Sequence, residues 1–400
     1  MKNLGRYLLV MLCSVLSLQV LAFDKANFQN FIKDKTYQQG YFSFYHDKEK
    51  GKVFLEITNF NKEFIFQSSL PKGVGSNDIG LDRGQLGKTR LVQFELAGDK
   101  VLLREINSYY RANTENKLEQ QAVEEAFASS IIWGFKVASK TKDNKKVLID
   151  YTPFLLSDIH NLSATLKRRN QGSFRIDATR SALFAKRTKA FPHNTELEAT
   201  VTYTGTGAGQ HLRSVTPDSN AVTVNLHHSL IKLPDDKYQT REFHPFSGFW
   251  SNSYADYATA IDEPIVKRNI PRHRLAKKNP EVAISEAVEP IVYYLDAGVP
   301  EPIKTALLDG ALWWNQAFNA IGYKDAFQVK MLPSDADPMD VRYNVIQWVH
   351  RATRGWSYGA SVIDPRTGEI IKGHVTLGSL RVRQDYLIAL GLTSPFKTQN

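Results

Sequence analysis

The hydrophobic pattern of this 400-residue chain changes character once, and that change constrains the fold more than any other feature. From residue 36 to about 250, apolar and polar side chains tend to alternate, as in Val53–Ile57, which is the period of a half-buried strand. From Glu289 onward, short apolar strands alternate with a helical pattern. Domains typically hold about 100–200 residues, so the change predicts at least two units. The expected fold class is α+β, with a mainly antiparallel β N-terminal domain followed by a smaller α/β domain.

The C-terminal unit reads as a β-α-β arrangement. A strand is predicted at Pro290–Leu295, followed by one helix whose apolar face recurs at steps of three or four up to Ile321. Tyr343–Val349 is apolar on both faces, which predicts a central strand. Three further strands are predicted, at Ala326–Leu332, Gly359–Ile363 and Ile370–Leu377. A helix is predicted from Leu380 onward.

The first 22 residues have the features of a secretory signal peptide. Lys2 and Arg6 precede an apolar stretch, and Ala22 is a small residue suited to cleavage. An uncleaved N-terminal anchor is the alternative. Without these residues the chain carries 49 Lys and Arg against 41 Asp and Glu, a net charge of +8, and no cysteine. We therefore expect an exported protein, periplasmic or extracellular, with no nucleic-acid partner and no stable membrane insertion after signal cleavage.

A basic segment separates the two predicted units. Six Lys and Arg residues lie between Lys267 and Lys278, interrupted by Pro271 and followed by Pro280. We interpret it as a solvated interdomain connection; the alternative is a site for an anionic polymer, whose binding would depend strongly on salt. The predicted boundaries are 1–22 for the signal peptide, 23–265 for the β-rich domain, 266–286 for the basic linker and 287–400 for the C-terminal unit.

The usual catalytic spacings are missing from the sequence. It contains no His-Glu-x-x-His, no Gly-x-Ser-x-Gly and no phosphate-binding loop ending in Gly-Lys-Ser/Thr. Gly205–Gly209 resembles a dinucleotide loop, but residues 211–226 read as loop and strand, so a turn is predicted. His227 and His228 are adjacent and should face opposite sides of a strand. A three-histidine site assembled across the fold stays a minor alternative, and the residues alone identify no active site.

Several longer segments carry a family resemblance. The segments Val292–Asp296, Trp313–Asn315, Asp340–Trp348 and Gly359–Ile371, with Gly75–Gly84 and Ile261–Arg268 upstream, resemble the bacterial metzincin-type zinc-dependent metallopeptidases with an EcxA-like zinc-binding domain. The resemblance implies an exported endopeptidase that hydrolyses peptide bonds by a zinc-activated water. In that family a His-Glu-x-x-His helix holds the zinc, and none of the ten histidines here can be assigned as a ligand. We therefore expect the N-terminal half of a metzincin-like domain, a truncated form that is inactive alone and binds no zinc specifically.

One element of the resemblance concerns the peptide or protein substrate. In such peptidases the strand before the Asp-Pro-Arg-Thr-Gly turn forms a sheet edge that pairs with extended substrate. Here that strand comprises Gly359, Ala360, Ser361, Val362 and Ile363, with an ordinary hairpin strand as the alternative. Trp356 and Tyr358 would line the cleft or pack beside it.

The alternative function is a non-catalytic exported protein that binds peptide or polymer. Peptide binding should then be lost when proline replaces Ala360 or Val362, because proline removes a strand N–H. Without a covering helix, Ile346 and Trp348 are expected to expose apolar surface and make residues 300–400 prone to aggregation.

Overall fold

The computed structural model describes residues 27–352 and 356–394, so the predicted signal peptide lies outside the described residues. Residues 27–32 are helical (α1). Twelve strands then form one large antiparallel sheet in the order β1-β2-β3-β9-β8-β6-β5-β4-β13-β12-β10, with β11 also paired to β12. Their bounds are β1 Thr36–Gln38, β2 Phe44–Asp47, β3 Lys52–Ile57, β4 Phe64–Lys72, β5 Gln85–Ala97, β6 Lys100–Glu105, β8 Ser130–Lys140, β9 Val147–Asp150, β10 Gly172–Leu183, β11 Lys189–Ala190, β12 Asn194–Gly207 and β13 Ala221–Ile231.

The large sheet curls around one apolar core. Near one end, the N–H of Phe42 donates to Thr195 Oγ1 (3.0 Å) and that hydroxyl donates to the Phe42 carbonyl (2.7 Å), which ties the start of β2 to β12. Alternate residues of the strands point inward, among them Leu197 and Val201 of β12, both fully buried. The period-two pattern of the sequence therefore becomes the inner wall of a barrel-like unit.

Short helices and a small second sheet complete the N-terminal region. The helices are α2 Lys117–Ala126, α3 Thr152–Leu155, α4 Leu162–Arg168 and α5 Gln210–Val215, with a 3₁₀ turn at Ala185–Arg187. The small sheet has the order β15-β14-β7, from β7 Tyr110–Arg111, β14 Asn252–Asp256 and β15 Val266–Asn269. Asn116 begins α2 as its N-cap, because its side chain accepts from the N–H groups of Leu118 and Glu119.

The C-terminal unit is built on a five-stranded sheet in the order β19-β17-β20-β22-β21. The first four are parallel neighbours, whereas β21 runs antiparallel to β22. The bounds are β17 Ile291–Leu295, β19 Phe327–Met331, β20 Asn344–Val349, β21 Tyr358–Ile363 and β22 Ile370–Gly378, with helices α6 Ile303–Leu312, α7 Trp314–Ala320 and α8 Ser379–Thr393; β16 Ser285–Glu286 pairs with β18 Tyr323–Lys324. The predicted central strand is β20, and the single predicted helix is divided at Trp313.

The expectation of exposed apolar surface on β20 is wrong. Ile346 and Trp348 are only 8% and 4% exposed. They belong to a core with Leu295 and Val329, against which Leu307 of α6 packs. The helix between β17 and β19 supplies this cover, which is why these two side chains need no later helix to bury them.

The segment 266–286 is more structured than a solvated connection. It begins as β15 and ends as β16. Between them, Arg274 Nε donates to Glu369 (2.8 Å) and Arg274 Nη1 donates to Asp235 (2.6 Å), so its guanidinium joins the two units. Lys267 and Lys278 also have carboxylate partners, in Glu263 and Glu286. Local pairing therefore neutralises much of the positive charge that suggested a polymer site.

The secondary structure confirms the α+β class with a mainly antiparallel β content. Among the described residues, no helix has both the length and the apolar character needed to span a bilayer.

Candidate functional site

Strand β21, which contains the five predicted site residues, forms an edge of the five-stranded sheet. It pairs with β22 on one side, from Tyr358 opposite Thr376 to Ile363 opposite Ile370. Within the described residues, no backbone hydrogen bond joins its other side to another element. Gly359 is exposed, and Ser361 is partly exposed. The five predicted residues thus lie together on an edge strand that runs antiparallel to its neighbour β22.

Hydrogen bonds along β22 show which N–H groups of β21 point outward. The N–H of Gly373 donates to Asn344 on β20 (2.7 Å), whereas the N–H of Gly378 donates to Ser357 on the β21 side (3.2 Å). Successive N–H groups of a strand point to opposite sides, so the backbone N–H of His374 points toward β21. His374 therefore forms a hydrogen-bonded backbone pair with Ala360. Proline at Ala360 or Val362 would therefore remove a ladder bond to β22 and not an outward N–H, and the predicted loss of peptide binding stays a prediction. The outward-pointing N–H groups are those of Gly359 and Ser361.

The two faces of β21 have different surroundings. Val362 is buried in a cluster with Ile65, Ile231 and Val341, so this face packs against the large sheet. Tyr358 lies on the same face, with its hydroxyl 3.3 Å from Asp82 Oδ2. Trp356, in contrast, is 64% exposed beside the free edge. Of the two aromatic residues, Tyr358 packs and Trp356 remains available to a ligand.

A glycine-rich loop of the N-terminal domain, residues 73–84, lies against the carboxyl ends of the parallel strands. Arg351, just after β20, donates from Nε to Asp82 Oδ2 at 2.8 Å, and both side chains are almost fully buried. Arg83 Nη1 donates to the Trp348 carbonyl (2.9 Å), and the N–H of Ala352 donates to the Gly75 carbonyl (2.8 Å). Direct ionic and backbone contacts thus position the sheet against the N-terminal domain.

Gly84 ends this loop in a conformation that only glycine adopts readily. Its φ is +91°, and a methyl group at its Cα would collide with Gln347 Oε1 and lie 3.2 Å from His374 Nε2. The repeated glycines of residues 73–87 were the sequence signal for this contact, but the pattern did not indicate which strand ends the loop would reach.

A buried charged cluster lies on β12 and β13 near the same interface. His227 contacts two carboxylates: its Nε2 contacts Glu196 and its Nδ1 lies 2.9 Å from Glu198. Burial lowers the pKa of His227, but the hydrogen bonds to both glutamates outweigh burial and raise it to about 9. His228 points to the other face, as predicted, where Tyr151 OH lies 3.2 Å from its Nδ1, and burial holds its pKa well below the usual range.

A partly open cavity of about 340 Å³ lies between the large sheet and the five-stranded sheet. Two titratable residues of β22, Lys372 and His374, lie in its wall. Burial lowers the pKa of Lys372 to about 8. Burial, reinforced by the charges of Lys372 and Arg83, lowers the pKa of His374 to about 4, so this imidazole is neutral at pH 7. Ionisable residues with shifted pKa values that line a cavity are candidates for function.

The side chains that could hold a zinc ion lie apart from one another. Among the described residues, no group of three or more His, Cys, Asp or Glu side chains is arranged to hold a metal ion. His374 lies in the cavity, His350 bonds to Ser379, and His273 bonds to Tyr293, so each has a separate environment. The residues that the structure describes therefore do not fit the zinc of the family resemblance.

The interpretation of Gly205–Gly209 needs one correction. Residues 205–207 continue β12, but Gln210–Val215 then form the short helix α5, which the sequence pattern did not predict. The N–H of Leu212 in this helix donates to Gln171 Oε1 (2.9 Å), so an internal side chain occupies its first turn.

Comparison with known proteins gives two family matches. Residues 84–278 match a domain of unknown function (DUF5117), and residues 25–73 match a second domain of unknown function (DUF5118). No curated protein and no solved structure matches the chain. The two matches lie on either side of the glycine-rich loop, and the five-stranded sheet lies outside both. Neither description names an activity, so the metallopeptidase expectation stays a prediction.

Proposed function

We propose that this chain is part of an exported zinc-dependent metallopeptidase and that β21 is the strand that binds its peptide substrate. The observation that carries the proposal is the free edge of β21, the one antiparallel strand of an otherwise parallel sheet. An extended peptide that pairs with such an edge gains main-chain hydrogen bonds whatever its sequence.

The positions of the resembling segments support this proposal. Val292–Asp296 covers β17, Asp340–Trp348 covers most of β20, and Gly359–Ile371 covers β21 with its following turn. That turn is held in place, because Arg111 donates to the carbonyls of Pro365 (2.5 Å) and Arg366 (2.7 Å). The end of β21 is thus anchored to the N-terminal domain.

No hydrolytic step is assigned to the described residues, because they do not fit a zinc ion. The same observation favours the second candidate, a non-catalytic exported protein that binds peptides through the same strand. The two candidates share the binding surface.

The experiment measures the binding of fluorescein-labelled casein, an unfolded polypeptide, by fluorescence anisotropy. Replacing Ser361 by proline removes one outward N–H without removing a ladder bond to β22, so the fold should be retained. We expect binding to weaken by about tenfold, the loss of one backbone hydrogen bond in a partly dry site. The matched control is Ser361→Ala, which keeps the N–H and should bind like the wild type.

Release of labelled fragments upon addition of zinc, abolished by a chelator, would identify a peptidase, exclude the non-catalytic protein and overturn the expectation that this chain is inactive alone. Binding without release is expected of this chain under both candidates. If Ser361→Pro binds casein as well as Ser361→Ala does, β21 is not the binding strand, and both proposals fail.

A further inference from the structure

One loop of the N-terminal region, residues 243–251, carries apolar side chains that the rest of the protein does not cover. Phe246 is 91% exposed, Trp250 is 86% exposed and Phe249 is 62% exposed. A side chain with so little cover touches almost nothing of its own protein, so these rings project from the surface. Together they present on the order of 500 Å² of aromatic surface to solvent, an area that marks a contact site for another molecule.

Backbone hydrogen bonds give this loop a defined shape. Both of its ends meet one residue, because Glu242 forms a bridge with Asn269 and Asn252 pairs with Asn269 in the β14–β15 ladder. Within the loop, the N–H of Ser247 donates to the His244 carbonyl (2.9 Å). The loop therefore leaves the small sheet and returns to the same point, and the three rings are held outside the protein.

The loop contains no charged side chain. Residues 243–251 read Phe-His-Pro-Phe-Ser-Gly-Phe-Trp-Ser. Lys, Arg, Asp and Glu are costly to bring toward the apolar part of a membrane, so their absence removes the main barrier to insertion. Tryptophan and phenylalanine, in contrast, enter the boundary between lipid headgroups and acyl chains, to a depth of about 5–10 Å.

Two arginines flank the base of the loop. Arg241 and Arg268 lie on adjacent segments, since the N–H of Phe243 donates to the Arg268 carbonyl (2.9 Å) and the N–H of Ile270 donates to the Arg241 carbonyl (2.8 Å). Both arginines are exposed, and neither forms an ion pair within the described part of the chain. Glu242 lies beside them, so the base of the loop keeps a net positive charge. This charge complements the phosphates of anionic lipid headgroups.

We propose that residues 243–251 attach the protein to the surface of a phospholipid bilayer that contains anionic lipids. Phe246, Phe249 and Trp250 enter the headgroup region, while Arg241 and Arg268 pair with lipid phosphates. A bilayer suits these residues better than a protein partner does, because it accepts projecting rings without a shaped pocket and offers phosphates beside them. The attachment is peripheral and does not depend on peptide binding by β21.

The test is co-sedimentation of the full chain with vesicles made of equal parts of phosphatidylglycerol and phosphatidylcholine. Trp250→Ser should bind these vesicles about tenfold more weakly, the effect of withdrawing one aromatic ring from an apolar environment. The matched control is Trp313→Ser, which removes a tryptophan that is 71% exposed between α6 and α7 and should bind like the wild type. Arg268→Gln should bind about fivefold more weakly, because one contact with anionic lipid is lost.

A second measurement separates this loop from other apolar segments, such as the N-terminal stretch Leu8–Leu18. Lipids brominated on their acyl chains quench nearby tryptophans, and the quenched fluorescence should fall in Trp250→Phe but not in Trp313→Phe. The proposal is overturned if the wild type does not bind at roughly 1 mM lipid, about tenfold above what a single weak anchor needs. It is also overturned if Trp250→Ser binds as tightly as Trp313→Ser, if Arg268→Gln binds like the wild type, or if the two phenylalanine variants are quenched equally.

Discussion

His227 should make the stability of the N-terminal domain depend on pH in the alkaline range. It is buried between Glu196 and Glu198, which hold its imidazole in the charged form. Its pKa is raised from the ordinary 6.5 to about 9. A group with a raised pKa in the folded state stabilises fully below its unfolded pKa, and this contribution is lost as the pH rises through the folded pKa.

The magnitude follows from the two pKa values. A pKa about 2.5 higher in the folded protein than in the unfolded chain corresponds to about 3 kcal/mol of stabilisation, since each pKa unit is worth 1.36 kcal/mol. Roughly 2.5 kcal/mol of this should be lost between pH 7 and pH 9.5. The physical reason is that a neutral imidazole can donate only one proton, so one of the two buried carboxylates loses its hydrogen bond from His227.

Urea unfolding at intervals between pH 7 and pH 9.5 measures this loss, with the free energy of unfolding extrapolated to water. His227→Gln should be destabilised at pH 7, and its stability should fall by about 2 kcal/mol less than that of the wild type across this range. The adjacent His228→Gln is the matched control: His228 is neutral throughout, so this variant should keep the wild-type slope. Equal slopes for the wild type and His227→Gln would refute the assignment of a charged His227.

Two further predictions concern the contact between the units. Asp82→Ala should lower the free energy of unfolding by about 3–5 kcal/mol, because it leaves the buried Arg351 guanidinium without a counterion. Adding Arg351→Met should recover part of that loss. A double-mutant cycle measures this coupling, and additive effects of the two substitutions would contradict the prediction. Gly84→Ala should lower the free energy of unfolding by at least about 1 kcal/mol more than Gly75→Ala does, since both positions have positive φ but an added methyl group meets Gln347 only at Gly84. Equal thermal shifts for the two variants would show that the predicted collision does not occur.

Local pattern was a good guide to which strands exist. Alternation located β3 within a residue, and the Gly98-Asp99 turn joins Ala97 directly to its partner Lys100. It was a poor guide where strands are long and irregular: β10 was not predicted, and its register with β12 shifts between Asp177 and Ala182. A bulge of this kind breaks the strict alternation on which such predictions depend.

Residues far apart in the chain decided what the local pattern could not. The sequence indicated that 359–363 form a strand, but the direction of their N–H groups depended on how β22 bonds to β20. Similarly, the basic composition of 266–286 suggested solvent exposure, whereas Arg274 finds carboxylates at Asp235 and Glu369, on either side of it in the sequence. Pairings over such separations leave no periodic signal in either segment.

The α+β class and the central position of β20 could both be read from side-chain chemistry, because each depends on the hydrophobic period within short segments. The place of the edge strand came only from what the family resemblance implies. Folding in three dimensions created the rest: the buried charge of His227, the ion pair of Asp82 with Arg351, and the cavity beside Lys372. Each of these arises where two surfaces meet, and burial at such a meeting changes pKa values and leaves polar atoms without water in a way that neither segment specifies alone.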